Sequence, residues 1–268
     1  MKYNILFVLS IVILSLSSCG KKENGLTAYH IKGNATSITD TIWDVSEKFG
    51  EVVKDNISQV TKINFDDNGN VIDYTTYDSY GNVKEKIVQK WNDTTIDEVY
   101  NYDENGKQQY HWKYYIENDK IQKIVTTCTM SSKWVTTATY YYSSSDPERI
   151  DSITEIKDSK KDIHTFKYLD DNNSYHEYIK YSTGRKSDAI YYLDKNKRLI
   201  KEKQSYYGTI TYTYNEEGLL VKETYDDGII NEYVYEFDKK GSLIKRITYV
   251  TNESKNATEM LTRHIEYK

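Results

Sequence analysis

Proline is almost missing from this sequence: Pro147 is the single one in 268 residues. Proline cannot donate to a strand ladder, so its scarcity leaves room for long uninterrupted sheet. Cysteine is nearly as rare, with only Cys19 and Cys128. Two cysteines exclude a disulfide framework, so stability must come from packing and pairing. Long apolar runs are scarce too. Ile5 to Leu16 is apolar but for Ser10 and Ser15, and falls short of the roughly 20 residues that span a bilayer as a helix. No basic block occurs and the net charge is −5, which argues against a nucleic-acid partner.

What the sequence has instead is tyrosine, 28 residues of it, together with abundant threonine. Both suit a pleated, half-buried surface. The alternation has period two. Tyr233, Tyr235 and Phe237 share one face of a segment whose other face carries Glu232, Val234 and Glu236. Tyr110, Trp112 and Tyr114 align likewise, as do Trp134, Ala138, Tyr140 and Tyr142. Such alternation marks half-buried strands.

A short template recurs between the strands: an aromatic or aliphatic residue, Asp or Asn, two variable positions, then Gly or Asn. The clearest copies are Phe65-Asp66-Asp67-Asn68-Gly69, Tyr77-Asp78-Ser79-Tyr80-Gly81, Tyr214-Asn215-Glu216-Glu217-Gly218 and Phe237-Asp238-Lys239-Lys240-Gly241. Weaker copies start at Tyr102, Tyr115, Leu169 and Leu193; in the last, Lys197 stands where glycine is expected. A degenerate copy at Tyr142 has lost its glycine. Asp or Asn can bond the backbone two residues on, and Gly accepts positive φ, so each copy reads as a hairpin turn. Counting turns predicts about eighteen strands. Residues 44–60 admit either a short helix, from the spacing of Val45, Phe49, Val52 and Val53, or a hairpin turning at Lys48-Phe49-Gly50. The all-β surroundings favour the hairpin.

At the amino terminus, Lys2 precedes the apolar run and Leu16-Ser17-Ser18-Cys19 follows it. This resembles the lipobox of bacterial lipoproteins. The resemblance implies a signal peptide over 1–18, lipidation of Cys19, a polar tether over 19–25 and a repeat domain over 26–268. The tyrosine-aspartate template resembles the YD repeat of the RHS family. It resembles more closely that of secreted Bacteroides-type lipoproteins with degenerate YD-like hairpin repeats, over about residues 60 to 250. The strand pattern runs to Tyr267-Lys268, without the toxin domain of RHS proteins. These resemblances imply an all-β antiparallel meander of hairpins, curled or closed into a soluble porin-like barrel, with an open single-layer sheet as the alternative. They also imply an outer-membrane lipoprotein facing the periplasm or the cell surface. Asp40-Thr41-Ile42, Asp93-Thr94-Thr95 and Asp151-Ser152-Ile153 resemble the O-glycosylation motif of such exported proteins.

Chemistry-bearing constellations are few. Asp66-Asp67-Asn68-Gly69-Asn70 superficially resembles a calcium loop, but its glycine is fourth rather than sixth and its spacing recurs at other turns. His30, His111, His164, His176 and His264 show no ligand spacing and read as exposed strand positions. Cys128 reads as a small buried hydrophobe. No cofactor or metal is expected. A membrane-spanning barrel is excluded: Leu219, Val221, Glu223 and Tyr225 share one face and Leu220, Lys222 and Thr224 the other, so both faces of a strand carry charge. Tyr110, Trp112, Tyr114, Trp134, Tyr140 and Tyr142 are the candidate ligand-binding residues, since neighbouring aromatics on one sheet face stack on sugar rings or anchor a protein. The competing account is that they fill the interior of the curled sheet. The expectation is a lipid-anchored, non-enzymatic binding or scaffolding module for a glycan or a surface protein. Its alternative is an extracellular polymer-degrading hydrolase.

Overall fold

The computed structural model describes residues 24–130, 133–147, 149–169, 173–205 and 208–268. Residues 1–18, expected to form a signal peptide, and Cys19 lie outside the described residues. A single helical turn, α1 (Gly25–Ala28), is followed by eighteen strands. These are β1 (Ala35–Lys48), β2 (Glu51–Phe65), β3 (Val71–Tyr77), β4 (Val83–Asn92), β5 (Thr95–Asp103), β6 (Gln108–Glu117), β7 (Lys120–Cys128), β8 (Trp134–Tyr142) and β9 (Ile150–Lys157). The series continues with β10 (Lys160–Tyr168), β11 (Ser174–Lys180), β12 (Lys186–Leu193), β13 (Leu199–Gln204), β14 (Gly208–Tyr214), β15 (Leu220–Tyr225), β16 (Ile230–Phe237), β17 (Leu243–Asn252) and β18 (Ser254–Tyr267).

Each strand pairs antiparallel with its successor, and β18 pairs antiparallel with β1, from Ala35↔Tyr267 to Asp44↔Glu259. The sheet is a closed meander barrel, not an open layer, and closure removes the unpaired strand edges that invite aggregation. Residues 44–60 form the hairpin, with Lys48 opposite Glu51.

The turns show why the template recurs. At Asp66, Asp78, Asp103, Asp194, Asn215 and Asp238 the amide donates to the carbonyl four residues on. The amide of the residue three on returns to the turn's own first carbonyl. In the Asp66 turn, Oδ1 accepts the amides of Asn68 and Asn70, both at 2.8 Å. The residue three on holds φ near +80° in Gly69 and +64° in Lys197. The copy at Tyr115 is a correction to the repeat reading. Its chain reverses in two residues, Asn118 (φ 51°) and Asp119 (φ 61°), as a tight hairpin turn requires.

Register assigns each residue to a face. Ile38, Ile63, Tyr74, Ile87, Asn101, Tyr110, Cys128 and Trp134 lie successively opposite one another, and across the closing seam Ile38 is opposite Ile265. This face points inward. From β3 to β10 it carries the main core: Ile87, Val99, Trp112, Tyr114, Ile121, Ile124, Ala138, Tyr140 and Ile153, flanked by Tyr74 and Phe166. The opposite face holds the exposed Tyr115, Val135, Tyr141, Ile156 and Tyr178. It also holds Lys62, Lys86, Lys123, Lys167, Lys201 and Lys222. A lysine facing hydrocarbon at mid-bilayer costs about 2–4 kcal/mol, so this wall is built for water outside.

The segment before β1 covers one end of the barrel. Leu26, Tyr29 and Ile31 pack on Ala35, Ile38, Ile63, Phe65 and Val71. The Leu26 amide donates to Gly69 O, and the Lys32 amide to Ser242 Oγ at 2.8 Å. The segment therefore bridges the β2–β3 and β16–β17 turns. Asn24 and Gly25, the last residues of the expected tether, belong to it: Asn24 caps α1 and its amide donates to Asn68 O at 2.8 Å.

Candidate functional site

The six aromatics singled out in the sequence do come together. Tyr110 is opposite Cys128, which is opposite Trp134; Tyr114 reaches Ala138 through Ile124; Tyr140 and Tyr142 lie one and two positions further along β8 on the same face. That face is the inner one. Trp112, Tyr114 and Tyr140 are 8%, 5% and 4% exposed within the core, so these three pack and are not open to a ligand. Burial pushes the Tyr114 hydroxyl up to about 12. Tyr110, Trp134 and Tyr142 are half-buried at the margins of the core. Trp134 lies 6.2 Å from the Tyr110 ring and has Lys157 Nζ 3.9 Å from its own centroid. It also borders a shallow cleft of about 760 Å³ with Lys107, Lys133 and Asp158. Cys128 is buried and free.

Three of the five histidines differ from expectation, while His30 and His264 are exposed. His111, His164 and His176 are half-buried rather than exposed. His111 stacks on Tyr100 at 4.5 Å, and His164 and His176 meet Glu177 and Asp188 at 2.8 and 3.1 Å. On their strands an aromatic or carboxylate neighbour takes up each ring.

Beyond the core the inner wall changes character. From β11 to β16 it presents a belt of alternating glutamate and tyrosine. Glu177 is diagonal to Tyr191; Tyr191 is opposite Glu202; Tyr212 is opposite Glu223; and Asn231, opposite Glu223, brings Tyr233 alongside. Each phenol donates to the preceding carboxylate: Tyr191 to Glu177 at 3.3 Å, Tyr212 to Glu202 at 3.0 Å and Tyr233 to Glu223 at 2.9 Å. Tyr225 and Asn231 also donate to Glu223 Oε2, each at 3.0 Å. Burial first, and the neighbouring carboxylates second, hold the hydroxyls of Tyr191, Tyr212 and Tyr233 above the ordinary phenol range. Tyr225 is pushed up to about 12 for the same reasons. Among the described residues neither Glu202 nor Glu223 makes an ion pair. All these side chains are half-buried, so solvent reaches the belt.

Such a wall offers carboxylate and phenol oxygens as acceptors, and ring faces, on a rigid sheet. Those are the groups that engage hydroxyl-rich molecules or amines. The sequence reading missed the belt because it attended to neighbouring aromatics within one strand. The available signal was longer: Tyr191, Tyr212 and Tyr233 are 21 residues apart, as are Glu202 and Glu223. One hairpin repeat returns the chain to the same face at the same height.

No protein-family model matches the chain, and no curated protein matches it. Among solved structures it is similar to a porin-like protein from Bacteroides uniformis ATCC 8492, with 14% identity over 89% of this chain and 99% of that one, and a TM-score of 0.46. It is also similar to a porin-like protein from Bacteroides vulgatus ATCC 8482, with 13% identity over 87% and 98% of the two chains and a TM-score of 0.39.

Proposed function

We propose that this barrel is an exported, lipid-anchored binding module of the cell envelope, and that its glutamate–tyrosine belt holds a glycan or a segment of a partner protein. The belt is the observation that carries the reading. It lies on strands fixed by closure, so its acceptors and ring faces need little ordering on binding, which lowers the entropic cost of capture. Anchoring follows from the lipobox reading of Leu16-Ser17-Ser18-Cys19. Asn24 lies five positions after Cys19, a reach of at most about 18 Å. An acylated Cys19 would hold the barrel end bearing the β2–β3 turn against the bilayer and leave the far end facing outward.

Glycan-array profiling of the detergent-solubilised mature protein, with Tyr212→Phe and Glu223→Gln as controls, tests the belt. Retention that both substitutions weaken supports the reading; no retention of any glycan or envelope protein sinks it. Labelling with palmitate tests the anchor separately, since Cys19→Ala should lose the label and leave the membrane fraction.

One observation favours the hydrolase alternative. Glu155 and Asp162 are directly opposite on the inner face of β9 and β10, and burial, as the largest cause, raises the Glu155 carboxyl above its usual range. A raised acid beside a second carboxyl is the arrangement of retaining glycosidases. Turnover of a polysaccharide that Glu155→Gln abolishes would establish that reading over the binding one.

A further inference from the structure

The outer wall of β10 to β13 carries charge of nearly one sign. Lys161, Lys167, Lys180, Lys186, Lys201 and Lys203 all point outward there and all are exposed. The one outward carboxylate among them is Asp188, already engaged by His176 at 3.1 Å and by Ser205. Among the described residues none of the six lysines makes an ion pair.

Elsewhere on the same wall some lysines are matched with acids, although Lys62, Lys86, Lys123 and Lys222 make no ion pair among the described residues. Lys90 meets Glu98 at 3.1 Å, Lys113 meets Asp97 at 2.6 Å, and Lys245 meets Glu236 at 2.7 Å. In the β10–β13 sector, by contrast, Lys180 and Lys186 stand directly opposite each other across a strand pair. Like charges in that position are destabilising. A chain with a net charge of −5 thus concentrates unmatched positive charge on four adjacent strands, about 20 Å across.

We propose that this outer face binds an acidic polysaccharide, one bearing carboxylate or sulfate groups. Three features select that partner. First, every cation in the six is a lysine. Lysine is a hydrated point charge suited to spaced single anions, whereas phosphodiesters favour the arginine fork. Second, apolar residues lie directly across from the lysines: Ile156 from Lys161, Ile163 from Lys180, Ile190 from Lys203 and Tyr192 from Lys201. They offer ring-sized apolar patches between charges, to which the exposed Tyr178, packed on His176 at 3.8 Å, adds another. Third, the wall of a closed barrel is convex. A flexible chain can follow it, whereas a flat membrane would touch only a narrow strip. The site is separate from the inner belt, whose carboxylates would repel the same ligand, so the two stand or fall independently.

The test is retention of the full-length mature protein, in detergent, on immobilised heparin and on immobilised polygalacturonate, with neutral dextran as the reference. Wild type should be retained on at least one acidic column and elute with salt, because the attraction is screened. Lys180→Gln/Lys186→Gln/Lys201→Gln/Lys203→Gln should bind about tenfold more weakly or worse. Lys90→Gln/Lys113→Gln, which removes paired lysines, should bind like wild type. Thermal melts confirm that the variants fold; these lysines have no ion pair to lose, and Lys201 gives up only its approach to the Tyr192 ring, 5.6 Å from the centroid. Passage of wild type through both acidic columns would overturn the proposal. So would undiminished binding by the quadruple variant, an equal loss in the paired-lysine control, or tighter binding to duplex DNA or phosphatidylserine vesicles at the same ionic strength.

Discussion

Arg263 on β18 clasps Asp40 on β1 with two charge-assisted hydrogen bonds, Nε to Oδ1 at 2.6 Å and Nη2 to Oδ2 at 2.7 Å, across the seam where the barrel closes. Both side chains are at least nine-tenths buried, and Arg263 also donates to Tyr29 O at 2.6 Å. One interaction thereby ties together the last strand, the first strand and the segment that covers the barrel end. Removing one partner strands a buried charge, so Asp40→Ala should cost about 3–5 kcal/mol. The double replacement Asp40→Leu/Arg263→Met should cost less than Asp40→Ala alone. Urea unfolding measures both, and a loss for Asp40→Ala in the range of an exposed pair, below about 1 kcal/mol, would contradict the seam's role.

Trp112→Ala should destabilise by about 3–5 kcal/mol, because the ring is enclosed by the core and its removal leaves a cavity. Tyr178→Ala, on the outer face, should change stability by less than about 1 kcal/mol. Equal melting temperatures for the two variants would contradict the assignment of faces.

The tyrosines make a pH prediction. Tyr225 ionises at about 12 in the fold against 10.0 ordinarily, and Tyr191, Tyr212 and Tyr233 are displaced in the same direction. Between those values the folded chain holds protons that the unfolded chain releases, so stability must fall as pH rises. The contribution is intact below pH 10 and is lost as pH climbs through 12. Absorbance at 295 nm should show a group of phenols that ionise late and together with the loss of far-ultraviolet strand signal. A single smooth titration near 10 with the fold intact would refute this.

Turn chemistry can be tested by exchange. Lys197 sits at φ +64° in a position where sister turns have glycine, and a left-handed non-glycine residue costs about 1–2 kcal/mol. Lys197→Gly should therefore raise the melting temperature. Gly69→Ala should lower it more than Gly81→Ala. Both have positive φ, but a Cβ at Gly69 would come within 2.6 Å of Asn24 Nδ2 and 2.8 Å of Leu26 Cδ1, whereas one at Gly81 meets nothing. The comparison reads directly how firmly the segment before β1 is held.

Much of this architecture is written in local signals. The hairpin turns, the strand number and the two-residue alternation each depend on a few neighbouring residues, such as Asp66 bonding its own backbone or Tyr110, Trp112 and Tyr114 sharing a face. The inner belt was not legible in the same way. Glu202 and Tyr212 mean nothing apart; they become neighbours only once the turn between β13 and β14 sets their register. Which face would be inner was also hidden, because both faces carry charged and aromatic residues. Only closure, fixed by Thr41 meeting Thr262, decides that Trp112 is enclosed and Lys203 is not.

Closure also sets an order of events. Seventeen strands can zip onto their predecessors as the chain is delivered, each with a partner only a hairpin away. The β1–β18 pairing joins residues more than two hundred apart and waits for the end of the chain. Until then β1 presents an open edge, and such an edge is a template for any other strand that meets it. The buried clasp of Arg263 and Asp40 is thus the latch on a ring that is vulnerable for its whole assembly and protected only by its final step.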